Sequence, residues 1–103
     1  MSTIQLTNDN FDEMVMKSDK TVLIDFYATW CAPCRMVSPI VDEISEERQE
    51  YTICKADVDE EPELAKKFGV SNIPTLVVVK DGNVVDQCVG VRSKEFILGM
   101  MDL

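Results

Sequence analysis

The chain has 103 residues, 46% of them hydrophobic and 28% charged, an ordinary balance for one soluble domain covering 1–103. A formal net charge of −9 speaks against a nucleic-acid partner, whose phosphates would repel it. No apolar run approaches the roughly 20 residues of a membrane span, and the absence of histidine removes Cys–His nucleophile pairs and every His-ligated metal site.

The opening "MSTIQLTNDNFDEM" has neither a basic n-region nor an apolar h-region, so the expected location is the cytoplasm. "TIQL" at 3–6 reads as a short first strand. Residues 8–17 are predicted as a helix, with Phe11, Met14 and Val15 on one face and Asn8 as its cap. "TVLIDFYA" at 21–28 is an almost unbroken apolar run rich in β-formers, the pattern of a strand buried on both faces. Pro33, Met36, Val37, Ile40, Val41 and Ile44 then recur at helical spacing over about three turns, with Pro39 inside as an expected kink.

"YTICKADV" at 51–58 is predicted as a third strand. Pro62 near the start and Gly69 past the end bracket a short helix, "PELAKKF". "PTLVVVK" and "NVVDQCV" form a hairpin about Asp81-Gly82, a strong two-residue turn signal. Ser93 can cap a last helix with Phe96, Ile97, Met100 and Met101 inward. The order βαβαβαββα points to an α/β sandwich with a mixed sheet, partly parallel, with an antiparallel pair forced by the hairpin.

Of the four cysteines, Cys31 and Cys34 stand together in "WCAPC", where a buried strand gives way to a helix. Chemistry in open α/β sheets favours the carboxyl ends of strands. Cys31 falls at the helix N-terminus, where free N–H groups and the macrodipole favour a thiolate. Cys34 lies three residues on and deeper, so the two sulfurs can close a small disulfide ring. This suggests an attacking and a resolving thiol. A metal site is the weaker reading, because tetrahedral metals take a second Cys pair or histidines. A structural staple is weaker too, because so short a loop removes little unfolded-state entropy. Cys54 reads as a small buried hydrophobe, while Cys88 adjoins a loop and its burial stays open.

Asp25 interrupts the apolar run "VLI-FYA". A buried carboxylate must be paired or kept protonated. Lys55, in the neighbouring strand candidate, offers a structural ion pair. The other account is a proton acceptor for Cys34.

These stretches resemble the thioredoxin family. "VLIDFYATWCAPC", "KADVDEEPELAKKFGV", "IPTLVVVKDG" and "VGVRSK" stand in the family's order, and the likeness covers essentially the whole chain. The resemblance implies a five-stranded mixed β-sheet flanked by four helices. It implies a protein-disulfide reductase in which Cys31 is the nucleophile and Cys34 the resolving thiol. It favours proton transfer for Asp25, with Lys55 in support. Trp30 matches the tryptophan beside the thiols, Ile73-Pro74 the cis-proline segment facing them, and Val89-Gly90 a neighbouring loop. With Ala32 and Pro33 these residues would make an apolar docking surface for substrate. The family usually has glycine where Ala32 stands, and many members carry a second tryptophan where this chain has Tyr27. The implied partners are a thioredoxin reductase and diverse disulfide-containing proteins. No cofactor would be bound by this chain, a monomer; NADPH and FAD would reside on the reductase.

Overall fold

The computed structural model describes residues 3–102, so Met1, Ser2 and Leu103 of the expected domain lie outside the described residues. The elements run β1 (Thr3–Gln5), a π-helical turn (Asp12–Met16), β2 (Val22–Tyr27), α1 (Ala32–Glu47), β3 (Thr52–Asp57), α2 (Pro62–Lys67), β4 (Thr75–Lys80), β5 (Asn83–Val89) and α3 (Lys94–Met101). The five strands form one sheet in the order β1-β3-β2-β4-β5. β1, β3 and β2 are parallel, while β4 runs antiparallel to both β2 and β5.

Strand β2 lies at the centre, which explains its unbroken apolar run: alternate side chains enter different cores. Ile24 and Phe26 join Leu6, Phe11, Val15 and Leu64 on the side of the π-helical turn and α2. Leu23 joins Val37, Val41, Ile44, Ile97 and Met101 on the side of α1 and α3. Asp25, two residues after Leu23, shares this second face.

The predicted helix over 8–17 is a single π-helical turn, in which Lys17 N–H reaches the Asp12 carbonyl. Phe11 and Val15 are buried and Met14 is half-buried, but Asn8 is not the cap. Thr7 and Asn10 bond reciprocally instead: Thr7 N–H donates to Asn10 Oδ1 (2.8 Å) and Asn10 N–H to Thr7 Oγ1 (3.2 Å). This is capping-box geometry one residue earlier than predicted. Asn8 turns outward, donating to Glu61 and Glu63.

Helix α1 is longer than predicted, at 16 residues, and Pro39 lies inside it. Its core stripe is Cys34, Val37, Val41 and Ile44. Pro33 and Met36 belong to the adjoining stripe, one residue back around the helix, and are exposed. In α3, Ser93 Oγ caps the helix by accepting from Phe96 N–H (3.1 Å). Ile97, Met100 and Met101 are buried, but Phe96 flanks that stripe in the first turn and is half exposed beneath the Arg92 guanidinium.

Candidate active site

Strand β2 ends at Tyr27, and Ala28–Trp30 turn the chain into α1. Cys31 is the N-cap of that helix, extended at φ −93°, ψ 110°. Its Sγ accepts the Cys34 N–H at 3.2 Å. That N–H is one of the donors a helix start leaves unpaired, and Pro33 carries none to lose. Sulfur thus stands where serine or aspartate usually caps, and negative charge on it is favoured by the dipole. Cys31 and Cys34 form a disulfide with Cα atoms 5.3 Å apart. In this oxidised state the expected contrast in depth is small: Cys31 is 5% exposed and Cys34 3%. What separates them is position, with Cys31 at the cap and Cys34 inside the first turn.

Three loops meet here. The Ile73 carbonyl oxygen lies 3.9 Å from Cys31 Sγ, and the Ile73–Pro74 peptide is cis. Pro74 C=O accepts the Gly90 N–H at 2.8 Å, which ties the third loop to the second. Gly90 has φ +97°, a conformation that a side chain would strain. Val89, Ala32 and Pro33 are exposed. Trp30 is 68% exposed, and its Nε1–H donates to Asp59 Oδ2 at 2.7 Å. Sequence reasoning missed Asp59, because it sits in an acidic stretch that reads as solvated loop; no local signal marks it as the partner of a distant indole.

Asp25 is 1% exposed, and neither carboxylate oxygen accepts a hydrogen bond. Burial pushes its carboxyl from 3.8 up to about 7; the nearby Lys55 charge pulls down and Asp42 adds to the rise. The Asp25–Lys55 ion pair considered from sequence is not formed. The strands are in register at these residues, but Lys55 Nζ turns to α1, bonding Asp42 Oδ1 (2.7 Å) and Ser38 Oγ (2.6 Å). These three residues, with Cys34, Arg35 and Tyr27, line a cleft of about 480 Å³ that runs from Cys34 to Lys55. The Tyr27 hydroxyl accepts from Gln5 Nε2 at the cleft's edge (3.1 Å).

Cys54 is fully buried and its thiol is pushed up to about 12 by desolvation. Cys88 is half-buried, with Sγ 3.7 Å from Met100 Sδ, and burial raises its thiol too. Neither joins the disulfide. Among the described residues no cluster of three or more His, Cys, Asp or Glu side chains is arranged to hold a metal ion.

A sulfur pair that opens and closes one ring carries two electrons between its reduced and oxidised forms. Placed at the head of a helix in this sheet, the pair defines a thiol–disulfide oxidoreductase. The Thioredoxin family model matches residues 2–102. The chain is 47% identical over 98 residues to a thioredoxin of Mycobacterium tuberculosis, covering 94% of this chain and 84% of the relative. It is 44% identical over 103 residues to a thioredoxin of Staphylococcus haemolyticus, covering 99% and 97%. A bifunctional thioredoxin reductase/thioredoxin of Mycobacterium leprae matches at 45% over 97 residues, 93% of this chain and 21% of that protein. The chain belongs to the thioredoxin family.

Proposed function

We propose that Cys31 attacks and Cys34 resolves in the reduction of protein disulfides, with Asp25 taking the Cys34 proton and Lys55 supporting that transfer. The observation that carries this reading is the capping bond from Cys34 N–H to Cys31 Sγ. It supports a thiolate at Cys31 and leaves Cys34 as the thiol that must be deprotonated later.

The Cys31 thiolate attacks one sulfur of the substrate disulfide, forming a mixed disulfide and releasing the other as a thiolate. Cys34 passes its proton to the Asp25 carboxylate, directly or through water in the cleft. The Cys34 thiolate then attacks Cys31 Sγ, closing the Cys31–Cys34 ring and releasing the second substrate thiol. Two electrons have moved from this chain to the substrate. Near neutral pH a carboxyl raised to about 7 can both accept and return a proton, which suits it to the step.

The exposed Trp30, Ala32, Pro33 and Val89 support an apolar docking surface, and the backbone at Ile73 and Pro74 supports pairing with an extended substrate segment. The substrates are diverse disulfide-containing proteins. The reducing partner is a thioredoxin reductase, a reading supported by the M. leprae relative whose name joins both functions. NADPH and FAD belong to that partner, and this chain works as a one-domain monomer in the cytoplasm with no bound cofactor and no nucleic-acid or membrane partner. Among the described residues no helix is long and apolar enough to cross a membrane.

Mass spectrometry of two variants tests the division of labour. After exposure to a disulfide substrate, Cys34→Ser accumulates a stable adduct on Cys31, while Cys31→Ser neither turns over nor accumulates one. An adduct on Cys34 in the second variant, with none on Cys31 in the first, reverses the roles.

A further inference from the structure

Two side chains on neighbouring strands stand in register and do not meet. Asp25 and Lys55 stand opposite each other on adjacent parallel strands, whose backbones lie about 4.8 Å apart. The lysine stem is long enough to lay its ammonium on the Asp25 carboxylate, yet both Asp25 oxygens are without a hydrogen bond. The ammonium is held instead against α1 by Asp42 Oδ1 and Ser38 Oγ. Ser38 and Asp42 are four residues apart on α1, so they present one face to Lys55. The preference has a physical reason. The Asp42 side chain is 54% exposed and keeps much of its water while pairing. A pair with Asp25 would need a carboxylate charge in a site with 1% exposure.

We propose that Asp42 and Ser38 are positioning residues: from α1 they hold the Lys55 ammonium off Asp25, and so set how readily that carboxylate takes the Cys34 proton. The inference rests on the role proposed above for Asp25. It makes two residues of α1 outside the Cys-Ala-Pro-Cys segment determinants of the resolving step. Other titratable groups toward this face are Tyr27 on β2, Asp57 on β3, and Arg35 and Cys34 on α1; β4 contributes Leu76 beside Asp25, and α3 buries Ile97, Met100 and Met101 in the same layer. Of the two cations lining the cleft, Arg35 lies on α1 and Lys55 on the strand beside Asp25.

The test reads the Asp25 carboxyl directly, by carbon-13 NMR titration of the disulfide form, in which Cys31 and Cys34 do not titrate. In Asp42→Asn the hold is weakened, Lys55 turns to Asp25, and the titration midpoint falls by about 1 pH unit or more. Ser38→Ala moves it the same way by less. Loss of the Asp42 charge would itself lower the midpoint, so the same change is made in a Lys55→Gln background. There the fall is much smaller, because no ammonium remains to be released. Equal falls in both backgrounds, or no fall in Asp42→Asn, overturn the proposal. The pH profile of mixed-disulfide resolution is followed in parallel and moves to lower pH with the carboxyl in Asp42→Asn. If the carboxyl midpoint falls and the rate profile stays, the positioning by Asp42 is upheld and the role of Asp25 in proton transfer is lost.

Discussion

Asp25 opposes the fold it sits in. Its carboxyl titrates near 7 when folded and near 3.8 when not. Below 3.8 both states are protonated, and burial carries no charge penalty. Between 3.8 and about 7 the unfolded chain has released the proton and the folded chain keeps it. Folding therefore weakens about tenfold per pH unit across that window and levels off above it. Asp25→Asn lacks this loss, so its stability advantage grows from about pH 4 to 7 and reaches about 4 kcal/mol at pH 8. Urea unfolding across pH reads the difference. The same variant resolves mixed disulfides more slowly, because Cys34 has lost its acceptor. A variant less stable than the parent at pH 8 would show that Asp25 is paired in solution. The oddity of Asp25 was legible in the sequence, as one charge in an apolar strand. The destination of Lys55 was not: strand register places it beside Asp25, and only the approach of α1 offers it Ser38 and Asp42.

At the scale of elements, local chemistry sets most boundaries. Asp81 and Gly82 both have positive φ, at 52° and 77°, as the two-residue hairpin requires. Helix α2 ends with Gly69 at φ 66°, with Gly69 N–H on Lys66 C=O and Val70 N–H on Ala65 C=O, a Schellman motif. Helix α3 begins on the Ser93 cap. Its bond is local to α3, so Ser93→Ala is expected to lower stability by about 1 kcal/mol and to leave disulfide reduction at the parent rate. Denaturant melts and an insulin-reduction assay check both halves; a slowed reduction would mean that α3 helps shape the site. The two misjudged helix faces share one cause: periodicity finds an apolar stripe but not its edges, so Met36 and Phe96, each one residue from a buried position, fit the pattern and lie outside.

For the molecule as a whole, the disulfide is a working part and not the main brace. Both sheet faces carry a core of fully buried aliphatic side chains, while the Cys31–Cys34 loop spans only three residue steps. Chain-entropy reasoning assigns so short a loop about 2 kcal/mol. The reduced protein therefore stays folded and cooperative, with stability lower than the oxidised form by about that amount. Parallel guanidinium unfolding of the two forms measures it, and unfolding on reduction would make the bridge structural after all.

The succession of strands and helices along the chain, the starts of α1, α2 and α3, the hairpin and the Cys31–Cys34 site could be read from the sequence, because each depends on neighbours in the chain: alternation, caps, turn residues and a spacing of three. The docking of Trp30 on Asp59, the meeting of Ile73 with Cys31, the contact of Cys88 with Met100 and the capture of Lys55 by α1 could not. Each joins residues 12 to 42 positions apart. Such contacts follow from how helices seat on the two faces of the sheet, and many side chains of similar type would satisfy the same local pattern.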